Sequence, residues 1–176
     1  MAKLLITRFS AFGDVAMTIP IVYSLAKQYP ELQIVFLSRE NFSSLFQFMP
    51  SNVEFRGIQL DDYKGLSGLN RLYKELEKES FDAFADFHDV LRTQFLRLRL
   101  SFNGVKIAVI DKGRKEKKEL TQKNNKKLRP LPTTFNRYST VLEKLSYPIT
   151  PSFNSLFEGL ETDLSQLPIQ ELQQKR

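Results

Sequence analysis

The chain has 176 residues, 41% of them hydrophobic and 26% charged, which is ordinary for a globular protein with one sizeable core. It has no cysteine, which excludes disulfides and thiolate chemistry, and no apolar run approaches the roughly 20 residues of a membrane span. The formal net charge of +6 favours an anionic partner, either a nucleic acid, a phosphorylated glycolipid or a membrane surface.

The first residues predict a strand, a tight loop and a helix. Leu4–Ile6 is a short apolar run typical of a buried strand, and Ser10–Gly13 is a bend of small residues. Apolar residues then recur at helical spacing from Val15 to Tyr29. Asp14 falls where this helix begins, beyond the carboxyl end of the strand, where open parallel sheets bind their ligands.

Two interpretations of Asp14 remain open at this point. Aspartate is a preferred helix cap, and Gly13 before it could serve only a turn that needs a positive φ. An acid at the mouth of a parallel sheet is also a candidate for acid–base chemistry. The loop matches neither the dinucleotide-binding fingerprint nor a phosphate-binding P-loop.

Further strands and helices are predicted to alternate along the chain. Strands are expected at 33–37, 52–58, 81–87 and 105–110, and helical patterns lie within 38–50, 69–78, 90–100 and 133–145, with 61–68 as a loop. Strands that alternate with helices predict an α/β fold with a parallel sheet and right-handed crossovers. After Pro151 the pattern fades, and 164–176 is polar and expected to fray.

A basic segment, Lys112–Arg129, interrupts this alternation. It is dominated by lysine and arginine and shows no firm core face. Such a run is often simply solvated, but it could also capture an anionic glycolipid at a membrane surface or bind nucleic-acid phosphates. The chain shows no aromatic and basic interleaving of the RNA-recognition kind and no DNA-reading motif, so a nucleic-acid partner is not expected.

The stretch Arg8–Pro20, with the pattern R-x-S-A-x-G-D-V-x-x-T-x-P, resembles the opening of the ADP-heptose:lipopolysaccharide heptosyltransferases of glycosyltransferase family 9. Members are inverting enzymes with two Rossmann-like domains, a GT-B architecture. The resemblance implies a Rossmann-like parallel sheet with helices on both faces as one half of that architecture. It implies that Asp14 is the catalytic base. Ser10 and Gly13 are expected to shape the loop and to be substrate-binding residues, with either the Ser10 hydroxyl or a loop N–H in contact with the acceptor.

A second match spans Phe81–Thr93, where the family carries D-x-x-x-D-h-Q-G-h-x-R-S and h is apolar. The chain keeps this pattern at Asp82, Asp86, Phe87, Val90 and Arg92, with Thr93 in place of serine. It departs at His88 and Asp89, where glutamine and glycine are usual. The resemblance makes Arg92 and Thr93 candidate substrate-binding residues, and His88, the only histidine, is a candidate at the same strand end.

A weaker match, Arg137–Tyr138 with Leu145–Tyr147, resembles the helix that closes the family's N-terminal domain, and makes Arg137 a further substrate-binding candidate. The expected organisation is an acceptor-binding domain at 1–150 and a linker or tail at 151–176, with the second, donor-binding domain absent. The implied partners are an ADP-heptose donor, bound by that absent domain, and a phosphorylated glycolipid acceptor. No cofactor and no metal are implied.

The predicted location is cytoplasmic, since the sequence shows no signal peptide. The basic segment adds an expected peripheral contact with the inner membrane. Two rival functions stay open. One is a non-catalytic module that binds anionic ligands on the same fold, and the other is a nucleic-acid-binding α/β domain that uses the basic segment. The non-catalytic module predicts no sugar transfer even when a donor-binding domain is restored. The nucleic-acid-binding domain predicts salt-sensitive binding to oligonucleotides that does not depend on Asp14.

Overall fold

A computed structural model describes residues 1–123 and 128–157. Five parallel strands form a sheet in the order β3-β2-β1-β4-β5. The strands are β1 Lys3–Thr7, β2 Gln33–Arg39, β3 Val53–Ile58, β4 Ala83–Asp86 and β5 Lys106–Val109. The predicted Rossmann-like parallel sheet is confirmed.

Helices cover both faces of the sheet, as predicted. They are α1 Phe12–Ala16, α2 Ile19–Gln28, α3 Gly65–Glu77, α4 Leu91–Phe102, α5 Arg114–Thr121 and α6 Thr134–Lys144. Buried residues of α1, α2 and α6 form one core with the sheet, and those of α3 and α4 form a second core on the opposite face. The central strands are continuously apolar in their middle, at Leu4–Ile6 of β1 and Ile34–Leu37 of β2, because both of their faces are covered.

The order of the strands creates a crevice between β1 and β4. The chain leaves β1 toward the face that carries α1 and α2, and it leaves β4 toward the face that carries α4. Open α/β sheets bind ligands at such a switch point, outside the carboxyl ends of the strands. The loops after β1 and β4 are therefore where a functional site is expected.

The single helix predicted from Val15 to Tyr29 is wrong: two helices, α1 and α2, replace it. The Thr18 hydroxyl donates to the Val15 carbonyl at 2.6 Å, and Pro20 follows within the first turn of α2. Proline has no N–H, and its ring would clash with the carbonyl of Ala16 in a continuous helix. The break keeps α1 as a separate turn beside the sheet edge.

Two further predictions need correction. The predicted 61–68 loop is largely ordered, because a 3₁₀ turn covers Leu60–Tyr63 and α3 begins at Gly65. A Cβ added to Gly68 would lie 2.5 Å from the Tyr63 carbonyl carbon, so this glycine lets the two segments touch. The helix expected within 38–50 is a 3₁₀ helix, Glu40–Phe46.

The chain returns to α2 after α6. Thr150 exchanges hydrogen bonds with the Gln28 side chain, and the Ser152 N–H donates to the Ser24 hydroxyl at 3.0 Å. Phe153 packs edge-on against Tyr23. The predicted fraying of 164–176 and part of the basic segment, Lys126 and Lys127, lie outside the described residues. No described helix has the length and apolar character to cross a bilayer.

Candidate functional site

Asp14 lies in the crevice between β1 and β4, as the third residue of α1, and 46% of its side chain is exposed. Its Oδ2 accepts from the Arg8 guanidinium at 2.6 Å and from the Ala11 N–H at 3.2 Å. Arg8 also donates to the carbonyl of Phe87, directly after β4, at 2.6 Å. The guanidinium therefore ties Asp14 to both strands that border the crevice.

Asp14 takes part in the cap of α1, because its carboxylate accepts from the N–H of Ala11, the residue before the helix. Partial burial raises the pKa of its carboxyl, but the hydrogen bonds from Arg8 and Ala11 and the charge of Arg8 outweigh that effect and hold the pKa below its usual 3.8. Asp14 is thus ionised at neutral pH. Both hydrogen bonds end on Oδ2, so within the described chain Oδ1 is left for another donor.

Gly13 does not serve a turn. It lies inside α1, its φ is not positive, and a Cβ added to it would meet nothing within 4 Å. Neither backbone strain nor crowding by the protein therefore requires glycine at this position. The space that a side chain would fill lies open next to Asp14.

His88 joins the loop after β4 to the loop after β1. Its Nδ1 accepts from the Phe9 N–H at 3.2 Å, and its Nε2 lies 3.2 Å from the Ser10 hydroxyl. A backbone N–H can only donate, so Nδ1 is unprotonated and the neutral ring carries its proton on Nε2, toward Ser10. The Ser10 hydroxyl is thereby oriented by His88 and keeps its own proton to donate elsewhere.

Burial is the main cause that lowers the pKa of His88 from 6.5 to about 4, and the positive charges of Arg8 and Lys112 add to it. His88 is 9% exposed, and its ring is neutral at pH 7. These contacts make His88 a positioning residue for the Ser10 loop. The sequence prediction that it contacts substrate remains a prediction.

The buried, neutral state of His88 should make the stability of the protein depend on pH. Below pH 6.5 the unfolded chain takes up a proton at this histidine and the folded chain does not until about pH 4, so stability falls as the pH drops through that window. Urea unfolding at pH 7 and pH 4.5 should show wild type losing about 2–3 kcal/mol more than His88→Gln, which lacks the titrating ring. Equal losses in the two proteins would contradict the buried neutral histidine.

The conformation of the turn after β4 explains why aspartate can occupy position 89, where the family usually has glycine. This residue has a φ of 48°, the left-handed region that glycine favours and aspartate tolerates. The fully buried Asp86 holds the turn, since its Oδ1 accepts from the N–H groups of His88 at 2.9 Å and Asp89 at 2.8 Å. Arg97 forms ion pairs with both Asp86 and Asp89.

Arg92 and Thr93 follow this turn, on the first turn of α4. The Thr93 side chain is fully buried and bonds the backbone N–H and carbonyl of Val90 at 2.9 Å, so it caps α4 and presents nothing to a ligand. Its predicted substrate contact is therefore not supported by its position. Arg92 lines a cavity of about 650 Å³ while it donates to the Tyr63 carbonyl at 2.8 Å.

Arg137 lies on α6 with most of its side chain buried. It donates to the Asp111 carbonyl at 2.9 Å and to the Glu116 carboxylate at 2.7 Å. The contact with Glu116 joins α6 to α5, and the contact with Asp111 joins α6 to the segment between β5 and α5. Arg137 also lines a second cavity, of about 330 Å³, together with Arg8 and Asp14. Arg137 therefore lies where it could reach a ligand in this cavity, and its predicted substrate contact remains a prediction.

Lys112 lines both cavities and was not singled out as a site residue by sequence reasoning. Its Nζ donates to the Asp89 carbonyl at 2.9 Å, and burial, with the charges of Arg114 and Arg8, lowers its pKa. Together with Arg8, Arg92 and Arg114 it gives the crevice a positive lining. The sequence signal was its place three residues after β5, at the same sheet edge as Asp14.

Tyr138 packs beneath the crevice and contacts residues that border it on both the β1 and the β4 side. It is fully buried, its ring stacks on Phe87 at 4.5 Å between centroids, and its hydroxyl donates to the Asp14 carbonyl at 3.4 Å. Burial raises the pKa of Tyr138 to about 12. Across residues 1–123 and 128–157, no group of three or more His, Cys, Asp and Glu side chains is arranged to hold a metal ion.

No protein-family model matches the chain. A lipopolysaccharide core heptosyltransferase of Haemophilus influenzae, OpsX, is 28% identical over 96 residues, which is 54% of this chain and 27% of that protein. The chain therefore spans about a quarter of this relative's length.

Solved structures share the fold. A family 9 glycosyl transferase from Veillonella parvula matches with a TM-score of 0.60 and 18% identity, over 88% of this chain and 46% of that chain. The E. coli heptosyltransferase WaaC, solved with ADP, matches with a TM-score of 0.59 and 16% identity, over 92% of this chain and 55% of that chain. Sequence and fold together confirm the predicted resemblance to the heptosyltransferase family.

Proposed function

We propose, from the resemblance of this chain to heptosyltransferases, that it is the acceptor-binding half of an inverting glycosyltransferase with a GT-B architecture. The observation that supports this most is Asp14, an ionised and half-exposed carboxylate at the switch point of the sheet, in front of a cavity. In the complete enzyme a second domain binds ADP-heptose, and residues 1–150 form the acceptor-binding domain with 151–176 as the connecting segment.

The proposed reaction moves heptose from ADP to a hydroxyl of a lipopolysaccharide inner-core acceptor. The hydroxyl oxygen attacks the anomeric carbon and forms a new C–O bond, while the bond from that carbon to the phosphate oxygen breaks and its electron pair leaves with ADP. The hydroxyl proton passes to Asp14, and attack opposite the leaving group inverts the anomeric centre. A positioned base contributes roughly 10²–10⁴-fold to such a step.

The arrangement of Asp14 suits a base that must face outward. Arg8 and the Ala11 N–H hold Oδ2, which fixes the carboxylate and leaves Oδ1 for the acceptor hydroxyl. The same contacts lower the pKa, which weakens the base but keeps it fully ionised at neutral pH. Arg8 is therefore a positioning residue in this proposal.

The positive lining of the crevice suits an acidic acceptor. Arg92 and Lys112 line the larger cavity, and Lys112 also lines the cavity in front of Asp14. Phosphate or carboxylate groups of a phosphorylated glycolipid would neutralise these charges, and arginine binds such groups through paired N–H donors. We assign Ser10 and Arg137 to the same acceptor site, with His88 acting through Ser10. The proposed location is the cytoplasm, at the face of the inner membrane.

Gly13 offers a test that separates ligand binding from folding. Gly13→Ala should leave the free energy of unfolding unchanged or raise it by about 0.5–1 kcal/mol, because alanine is the better helix former and its Cβ meets only open space. The methyl group would occupy space beside Asp14, so kcat/KM for transfer should fall about tenfold. Urea unfolding and initial rates of ADP release measure the two quantities. A stable variant with undiminished transfer would remove Gly13 from the acceptor site.

The proposal is tested by joining a donor-binding domain to this chain. The chain joined to the remaining part of the Haemophilus relative is incubated with ADP-heptose and a phosphorylated lipid A core acceptor. The expected result is release of ADP matched by heptosylated acceptor of inverted anomeric configuration. A chimera that folds and binds both substrates without transfer would contradict the proposal and favour the non-catalytic binding module. Tight, salt-sensitive oligonucleotide binding that Asp14→Asn leaves unchanged would favour the nucleic-acid rival.

A further inference from the structure

Helix α4 has two apolar faces on opposite sides. Thr93, Leu96 and Leu100 are buried against the sheet. At about 100° per residue, Leu91, Leu98 and Phe102 fall within an arc of about 40° on the opposite side, and they are 84%, 59% and 79% exposed. A helix that only covers a sheet needs one apolar stripe, so folding alone gives no reason for the second.

The exposed stripe is set among positive charges. Helix α4 carries Arg92, Arg97 and Arg99 and no acidic residue. Arg114, the first residue of α5, lies 3.8 Å from the Asp89 carboxylate, which places the start of α5 beside the start of α4. Helix α5 contributes four basic residues, two more than its acidic ones: Arg114, Lys115, Lys117 and Lys118 against Glu116 and Glu119.

The stripe begins at the crevice and runs away from it. Leu91 and Arg92 line the larger cavity at the carboxyl end of the sheet. Phe102 ends the helix just before the start of β5, at the opposite edge of the sheet. Twelve helical residues span about 18 Å, so the stripe connects the mouth of the crevice to the far end of the domain.

This placement distinguishes among possible occupants. A donor-binding domain seated over the carboxyl ends of the strands could cover Leu91 but not Phe102. A second copy of the chain would bring the arginines of two α4 helices together, and three exposed side chains fall well short of the roughly 1,200 Å² of a stable interface. A bilayer surface rich in anionic lipid accepts both the apolar stripe and its flanking positive charges.

We propose that α4 docks the protein on an anionic bilayer surface through Leu91, Leu98 and Phe102. The three side chains enter the boundary between headgroups and acyl chains, and Arg99, on the same helix beside the stripe, faces the lipid phosphates. Docked in this way, the mouth of the crevice lies at the membrane. This inference stands apart from the proposed transfer, because vesicle binding requires neither Asp14 nor a donor.

The binding test uses the 176-residue chain and vesicles of phosphatidylcholine with 25% phosphatidylglycerol. Co-sedimentation should show binding that falls about tenfold or more in the triple variant Leu91→Ser/Leu98→Ser/Phe102→Ser, whose exposed positions leave the core intact. Leu128→Ser is the control for the loss of an exposed leucine outside the stripe, because Leu128 is as exposed as Leu91, at 84%. Circular dichroism and thermal unfolding confirm that each variant folds.

The depth test uses the absence of tryptophan from the sequence. Leu98→Trp supplies a single fluorophore on the stripe, and Phe135→Trp supplies one on α6, which packs on the opposite face of the sheet. Vesicles should shift the emission of Leu98→Trp to the blue, and brominated lipids should quench it. The Phe135→Trp emission should change little.

Three outcomes would overturn the proposal. Wild-type chain that does not bind the anionic vesicles would do so directly. Undiminished binding by the triple variant, with complete release in 0.5 M salt, would assign the contact to surface charge alone. Concentration-dependent dimers in light scattering that the triple variant abolishes, without any vesicle binding by wild type, would assign the stripe to a second copy of the chain.

Discussion

Asp14→Asn in the complete enzyme should lower kcat by roughly 10²–10⁴-fold while acceptor affinity stays within a few-fold of wild type. The amide keeps the size of the carboxylate and an oxygen for the Ala11 N–H, but it cannot take the proton of an attacking hydroxyl. The loss should therefore appear in the chemical step and not in binding. Initial rates of ADP release and isothermal titration with the acceptor measure the two effects separately.

Glu54→Gln is the matched control for this variant. Glu54 is 58% exposed and pairs with Arg56 at 2.8 Å, close to the exposure and the arginine distance of Asp14, but it lies on β3 away from the crevice. Its variant should transfer heptose at the wild-type rate. Near-normal turnover by Asp14→Asn would end the assignment of this residue as the base.

The second large effect is on stability. Asp86→Ala should lower the free energy of unfolding by about 3 kcal/mol, because it leaves the N–H groups of His88 and Asp89 without their acceptor and Arg97 without one of its two carboxylates. For a chain of this size, that loss corresponds to a fall in Tm of roughly 6–12 °C. Urea unfolding and differential scanning calorimetry give the two values.

Asp86→Asn separates the turn from the ion pair. The amide oxygen can still accept from both N–H groups, so this variant should lose markedly less stability than Asp86→Ala. If the two variants were equally destabilised, the negative charge opposite Arg97 would outweigh the hydrogen bonds of the turn. If neither variant lost stability, Asp86 would not hold the loop that carries His88.

The sheet could be predicted from the sequence because its central strands are buried on both faces. In the middle of a strand that is covered on both sides, successive residues are apolar, so short runs such as Leu4–Ile6 stand out between helical patterns. The strands lie within two residues of their predicted bounds. Helix boundaries were less predictable. Residues 15–29 keep helical spacing across Thr18 and Pro20, so spacing alone concealed the break that sets α1 apart.

The candidate site was predictable where a local motif carries it. Ser10, Gly13 and Asp14 lie within five consecutive residues, and the structure places this segment, which runs from the loop after β1 into α1, at the switch point. Lys112 could not be found in this way, because its place beside both cavities depends on the pairing of β4 with β5. The two cases differ in separation along the sequence. The residues around Asp14 are neighbours in the chain, whereas the residues of the positive lining are brought together only by the pairing of the strands.

Thr93 and His88 show how burial changes an interpretation drawn from position. Both residues follow a strand that ends in the crevice, which made them candidate contacts. The Thr93 hydroxyl is used by the cap of α4, and the His88 ring is used by Phe9 and Ser10. Hydrogen-bond partners that lie 79 residues apart, as Phe9 and His88 do, leave no trace in local sequence.

Amide chemical shifts of the isotope-labelled chain, titrated with a phosphorylated lipid A core acceptor, test most directly whether the crevice between β1 and β4 is the acceptor site. The expected changes cluster at Gly13, Asp14, Arg92 and Lys112, and they persist in Asp14→Asn. Saturable binding whose shifts fall elsewhere, with these four amides unmoved, would contradict the assignment.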